Sequence, residues 1–283
     1  MHTHIHSNRG LLTAALLISL ASLNLVSAQE KLPYWKDLQV VSVNREAPRS
    51  AFMSFPDLSS ALKGRYADSP YYMLLNGVWK FRFAEAFKDM PDDVTDPATD
   101  VSGWKDIKVP GNWEVQGFGT AIYTNQPYEF APSNPQPPLL PEANPVGVYR
   151  RSFTVPSDWK DRDIYLQLSG AKSGVYVYLN GKEVGYNEDS KTPADFLLNK
   201  YLSPDGKNTL VIKIFRWSTG SYLECQDFWR MSGIERDVFL WSQPKTAVQD
   251  YHIVSTLDDS YLNGIFRMAV ELKNHSDKTE NLS

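Results

Sequence analysis

The strings VYVYL and KEVGY stand on either side of Asn180-Gly181, and no other feature of the chain restricts its fold as tightly. Both turn residues tolerate positive φ, which a two-residue connection between twisted antiparallel strands demands. A hairpin here sets the style of the surrounding chain. Ile164, Leu166 and Leu168 alternate in DIYLQL, as do Leu210, Ile212 and Ile214, and Trp79, Phe81 and Phe83 interleave with Lys80 and Arg82 in VWKFRF. A period of two places each set on one face of a strand. Tyr149, Arg151, Phe153 and Val155 share a face in the same way, so the buried and solvated sides of that segment are not cleanly separated. DVFLW, residues 237–241, reads as a further strand, SKTPADFLLNKYL as a short turn or helix, and SPDGKN as a surface turn. Many short strands with Pro and Gly turns and no long amphipathic helix make an all-β, antiparallel sandwich the expected fold. With 42% hydrophobic and 13% aromatic residues, the chain has ample material for its core.

The amino terminus has a different grammar. Residues 1–28 carry Arg9, the apolar run LLTAALLISLASLNLV and the small residues Val26-Ser27-Ala28, the pattern of a cleavable signal peptide. The run is broken by polar residues and falls short of the roughly 20 apolar residues that cross a bilayer. Export to the periplasm or the medium is therefore expected, with no membrane attachment after cleavage. His2, His4 and His6 fall in the removed segment. Loss of Arg9 takes the formal net charge from -4 to -5, and so mildly acidic a chain without a basic stripe argues against a nucleic-acid partner. Residues 29–70 read as an arm, extended with a short helical turn, anchored by Trp35 and Phe55.

Several chemistries lack their residues. Cys225 is the one cysteine, so no intrachain disulfide forms, and its neighbours Glu224 and Asp227 would raise its pKa and leave it inert. Beyond the signal segment the histidines are His252 and His275, which supports neither a histidine metal cluster nor a Ser-His-Asp triad. There is no GxGxxG or GKS/GKT phosphate loop. DMPDDVTDPATD lacks the ordered spacing of a calcium hand and reads as a solvated loop.

The stretch Arg216 to Asp237, RWSTGSYLECQDFWRMSGIERD, carries the functional signal. Trp217 and Trp229 alternate with Arg216, Glu224, Asp227 and Arg230 directly after a strand. Aromatic faces suit the apolar face of a pyranose, and fixed charges suit its hydroxyls. The alternative is that Trp217, Phe228 and Trp229 pack a core and the charges form structural ion pairs. Glu224 with Asp227, and Glu188 with Asp189, are the available carboxylate pairs, but neighbours on one loop are poorly placed to bracket a glycosidic bond.

The stretch resembles the end of the N-terminal sugar-binding domain of the glycoside hydrolase family 2 β-galactosidases. NGVWKFRF at Asn76, VPGNWEVQGFGTAIYTNQPY at Val109, NPVGVYRRSFTVP at Asn144 and LNGKEVGYNEDSKTPADF at Leu179 extend the similarity, in the family's order, over roughly residues 70 to 245. The chain departs from the pattern at Cys225, where an acidic residue is more usual. The resemblance implies a jelly-roll sandwich over residues 71–245 and the start of an immunoglobulin-like domain over 246–283, a span far short of the roughly 100 residues such a sandwich takes. It implies a retaining hydrolase of terminal β-D-galactose residues whose catalytic glutamates and magnesium site belong to a later barrel, so that this chain alone is expected to be inactive. Homo-oligomerisation of the complete enzyme is compatible with it. By resemblance Asn125, of the YTN motif, and Asp227 hold galactose hydroxyls, and Asp227 also ligates a sodium ion. The structural alternative pairs Asp227 with Arg230 or Arg216 and lets Asn125 cap a turn. A free-standing carbohydrate-binding module, and a β-glucuronidase or β-mannosidase specificity, are the competing expectations.

Overall fold

The computed structural model of the chain describes residues 32–131 and 133–281. The expected signal peptide, residues 1–28, lies outside the described residues. Asn180 and Gly181 both sit at positive φ, 54° and 78°, and join Gly174–Leu179 to Lys182–Asn187 in the expected hairpin. That hairpin is part of a seven-stranded antiparallel sheet. Its order is Ser42–Val43, Lys182–Asn187, Gly174–Leu179, Lys207–Phe215, Val146–Thr154, Gly77–Ala84 and Lys105–Val109. A four-stranded antiparallel sheet, ordered Ala194–Leu197, Asp163–Leu168, Val238–Gln243 and Tyr72–Leu74, completes the β-sandwich.

The alternating residues meet between the sheets. Trp79, Phe81, Tyr149, Ile212 and Ile214 from the large sheet pack with Leu166, Leu168, Phe196 and Leu240 from the small one. Complete burial of each such side chain contributes about 1.5–3 kcal/mol. Phe196 corrects one expectation in part, because the expected helical turn is confined to Asn199–Tyr201 and Ala194–Leu197 within SKTPADFLLNKYL is an edge strand. The consecutive leucines hide its alternation, while Phe196 inward and pairing with Asp163–Leu168 fix it.

The blurred pattern of Val146–Thr154 has a physical cause. Its outer face is covered too: Val146 and Val148 join Tyr176, Val211 and Phe215 under Trp35 of the arm and Met90, Val94 and Trp104 of the following loops. Trp35 stacks on Phe215 at 4.8 Å. The acidic loop read as solvated therefore buries its apolar residues against the sheet. Its carbonyls also receive Arg150, whose Nη1 donates to Asp96 O at 3.0 Å and Thr99 O at 3.2 Å.

After Pro244, Thr246–Leu257 and Gly264–Asn274 form a two-stranded antiparallel ribbon. It is tied to the sandwich by Lys273 to Glu46 and by His275 Nδ1 to Asp163 Oδ2, each at 2.5 Å. Phe266, Met268, Val270 and Leu272, alternate residues of the second strand, are exposed.

Candidate functional site: an aromatic ribbon carrying two polar side chains

The long irregular segment after Pro110 and the aromatic loop after Phe215 come together at one end of the sandwich. Ile122–Thr124 pairs with Phe228–Arg230 in a two-stranded antiparallel ribbon, with Trp229 opposite Tyr123 and Phe228 opposite Thr124. The ladder ends at Thr124 and Phe228, so Asn125 and Asp227 are the residues that immediately adjoin its end on the two strands. Two residues far apart in sequence thus share one ribbon end, and both are exposed. Beside them Tyr123 and Trp229 remain 58% and 52% exposed, their ring centroids 5.7 Å apart. An open aromatic pair next to polar side chains is the arrangement a sugar's mixed surface fits.

The charges around Asp227 are already assigned. Arg230 Nε lies 3.2 Å from Glu129 Oε2, and Arg216 Nη1 lies 3.6 Å from Glu114 Oε1, all four side chains being buried. Neither arginine is left for Asp227, whose Oδ1 instead accepts the Tyr123 hydroxyl at 2.8 Å. Among the described residues no arginine lies within ion-pair distance of Asp227. Its second oxygen has no hydrogen-bond partner among the described residues. The carboxylate disfavours ionisation of its phenolic partner, raising the Tyr123 pKa first through the hydrogen bond and then through its charge.

The other carboxylates are structural. Glu224 accepts Ser190 N at 2.8 Å and Ser190 Oγ at 2.6 Å. Glu188 is buried, taking Tyr186 Oη at 2.6 Å on one oxygen and Thr219 Oγ1 and Gly220 N at 2.8 and 2.7 Å on the other. Burial pushes its pKa up despite these donors, and the nearby Glu224 charge adds to the rise. Asp189 bonds to Lys191 N and faces Arg45 at 3.8 Å. Among the described residues no three His, Cys, Asp or Glu side chains converge as a metal site.

Of the three aromatic residues weighed as core, Trp229 is open. Trp217 is half-buried, its Nε1 donating to Glu129 Oε1 at 2.8 Å, and Phe228 is half-buried under the Lys172 ammonium, 4.8 Å from its centroid. Cys225 Sγ donates to Ser221 O at 2.9 Å. Its pKa is raised, as expected, but the principal cause is burial, and the contributing carboxylate is Glu129 rather than Glu224 or Asp227. Tyr123 was legible only as part of YTN. Glu129 carried no local signal at all, since its partners Trp217 and Arg230 are remote in sequence.

The sequence profile described as "Glycosyl hydrolases family 2, sugar binding domain" matches residues 72–244. The chain belongs to glycoside hydrolase family 2. A β-galactosidase of Priestia megaterium is 39% identical over 246 residues, covering 86% of this chain and 24% of its own length. A β-galactosidase of Vibrio cholerae is 42% identical over 198 residues, 70% of this chain and 19% of its own. Among solved structures, a calcium-binding mutant of Bacteroides uniformis β-glucuronidase 2 aligns over 72% of this chain and 22% of its own, with a TM-score of 0.54 and 24% identity. A Bacteroides vulgatus β-glycosidase aligns over 73% and 25%, with a TM-score of 0.54 and 22% identity. These two establish the shared fold. The chain spans about a quarter of the length of the curated relatives it matches.

Proposed function

We propose that this chain is the sugar-binding portion of an exported family 2 β-galactosidase, and that Asp227 and Asn125 hold hydroxyls of a terminal β-D-galactose residue during its hydrolysis with retention. The observation that carries the reading is Asp227: an exposed carboxylate without a cationic partner among the described residues, at the ribbon end that Asn125 also adjoins, beside an open aromatic pair. A carboxylate accepts from sugar hydroxyls, and a carboxamide both donates and accepts. The β-galactosidases at 39% and 42% identity support galactose as the substrate. The chemistry agrees, because a uronate would bring a second negative charge toward Asp227. In this reading the acid/base and nucleophile glutamates, and any magnesium, lie in the catalytic portion of the complete enzyme.

The sodium site fits this chain's residues as far as donor chemistry reaches. Asp227 Oδ2 is without a partner among the described residues and Asn125 offers a carbonyl oxygen, both hard ligands of the type an alkali cation takes. Asp227 would hold the ion, which would supply fixed positive charge to sugar oxygens.

The test uses the complete enzyme, assayed against aryl β-galactoside and aryl β-glucuronide, together with residues 29–283 alone. Preference for the galactoside by the complete enzyme and no turnover by residues 29–283 are expected, because binding without a placed acid and nucleophile leaves the barrier standing. Preference for the glucuronide, or turnover by residues 29–283 that Glu224→Gln abolishes, overturns the reading.

A further inference from the structure

The turn that carries Asn125 is folded around one guanidinium. Arg230 belongs to the partner strand, yet its Nη2 donates to Gln126 O at 3.2 Å and its Nε faces Glu129 Oε2 at 3.2 Å. Contacts on both sides of the turn therefore converge on one side chain. Arg230 and Glu129 are 2% and 7% exposed, and the second Glu129 oxygen takes the Trp217 indole. The backbone of Arg230 is fixed as well, since its carbonyl accepts Arg216 Nη2 at 3.0 Å and the same nitrogen reaches Thr120 O at 3.0 Å.

The contact between Arg230 and Glu129 is close but not aligned as a hydrogen bond: Arg230 Nε and Nη1 and Glu129 Oε2 are buried without well-directed partners. Such a pair contributes little to stability after desolvation, and its best-attested use is to specify one arrangement over others. Tyr128, between the two contact points, stands at a φ of 61°, a conformation a bulky residue adopts only where its surroundings impose it. Its ring is held against Tyr222 at 4.9 Å. A strained residue and a buried, imperfectly bonded ion pair in one short turn identify a shape that is enforced rather than relaxed.

We infer that Glu129 and Arg230 are positioning residues for substrate recognition: the pair sets the turn so that the Asn125 carboxamide stands level with Asp227 and both reach one galactose residue. The inference rests on the function proposed above. Glu129 acts on the sugar through Asn125 and touches no reacting atom. Loss of its charge lets the turn relax away from Arg230, which removes the Asn125 contact while Asp227, held by Tyr123, stays in place.

The experiment is a double-mutant cycle in the complete enzyme, reading kcat/KM on an aryl β-galactoside for Glu129→Gln, Asn125→Ala and their combination. Gln keeps the shape and an oxygen for Trp217, and circular dichroism establishes that the variant is folded before its kinetics are read; Arg230→Lys provides a second route, keeping the charge but losing the two-sided reach. Glu129→Gln is expected to lower kcat/KM roughly tenfold, mainly through KM, and to lower it no further once Asn125 is Ala. A merely structural role would give additive losses, which overturns the inference, as does wild-type kcat/KM in both Glu129→Gln and Arg230→Lys. Wild-type kinetics for Asn125→Ala would overturn the proposed role of Asn125 itself, and this inference with it.

Discussion

Tyr123 donates its phenolic hydrogen to Asp227 Oδ1 at 2.8 Å across the ribbon, so a neutral donor and not a guanidinium orients this carboxylate. The difference matters electrostatically. A guanidinium would cancel the carboxylate, whereas a phenol orients it and leaves its charge available. The bond also marks itself on the phenol, whose pKa is raised by the hydrogen bond and the adjacent charge. Asp227→Asn should therefore bring the Tyr123 pKa down toward the ordinary phenol value. Titration of the Tyr123 ring carbon by NMR in labelled protein reads it directly; coincident curves for the two proteins would show that the contact does not persist in solution.

Removing the carboxylate altogether should be costly to the complete enzyme. One charged hydrogen bond is worth about 1.5–3 kcal/mol, so Asp227→Ala should lower kcat/KM by roughly ten- to more than a hundredfold, and Asn125→Ala by less. Asp227→Ala should also flatten any response to sodium. Kinetics across a sodium titration, with circular dichroism to establish folding, test both. Two folded variants with wild-type values would make the ribbon a scaffold.

How much of this was legible depended on whether the cause was local. Asn180-Gly181 announced its hairpin because a turn's φ requirements are written into its own two residues. Trp79 and Phe81 announced their face because alternation is a property of one strand. Val146–Thr154 did not, because its second buried face is made by Trp35, Val94 and Trp104 from elsewhere in the chain. The loop from Arg216 displayed the right residue types for a sugar, but their partners were hidden. Nothing local pairs Arg230 with Glu129. The YTN motif is legible in the sequence, while the pairing of Ile122–Thr124 with Phe228–Arg230 that brings Asn125 and Asp227 to one ribbon end required the fold.

The packing of the core makes a prediction of its own at Gly147. A β-carbon there would stand 2.4 Å from Trp113 Cζ3 and 2.8 Å from Phe81 Cε2, far inside contact distance, and Trp113 is completely buried. The indole cannot retreat in a close-packed interior. Gly147→Ala should destabilise the protein by about 1–3 kcal/mol through overpacking, seen as a lower urea midpoint. An unchanged midpoint would mean that the aromatic cluster is looser than its contacts imply.

Glu188 links the loop to pH. Three donors favour its carboxylate form, yet burial outweighs them and raises its pKa, with the Glu224 charge adding to the effect. The unfolded chain, with an ordinary carboxyl, gives up the proton first. Between the ordinary and the raised value the folded state therefore binds more protons, and stability falls as pH rises through that window. The contribution is fully present below the ordinary carboxylate pKa and is lost above the raised one. Glu188→Gln removes the titration while preserving the bonds: its oxygen can face Thr219 and Gly220, and its amide can donate to the Tyr186 hydroxyl. Urea midpoints measured from about pH 4 to about pH 8 should decline less steeply for Glu188→Gln than for the wild type. The difference between the two curves isolates this one group from other buried carboxyls such as Glu114, whose pKa burial also raises. Parallel curves would mean that the three donors, and not burial, decide the protonation of Glu188.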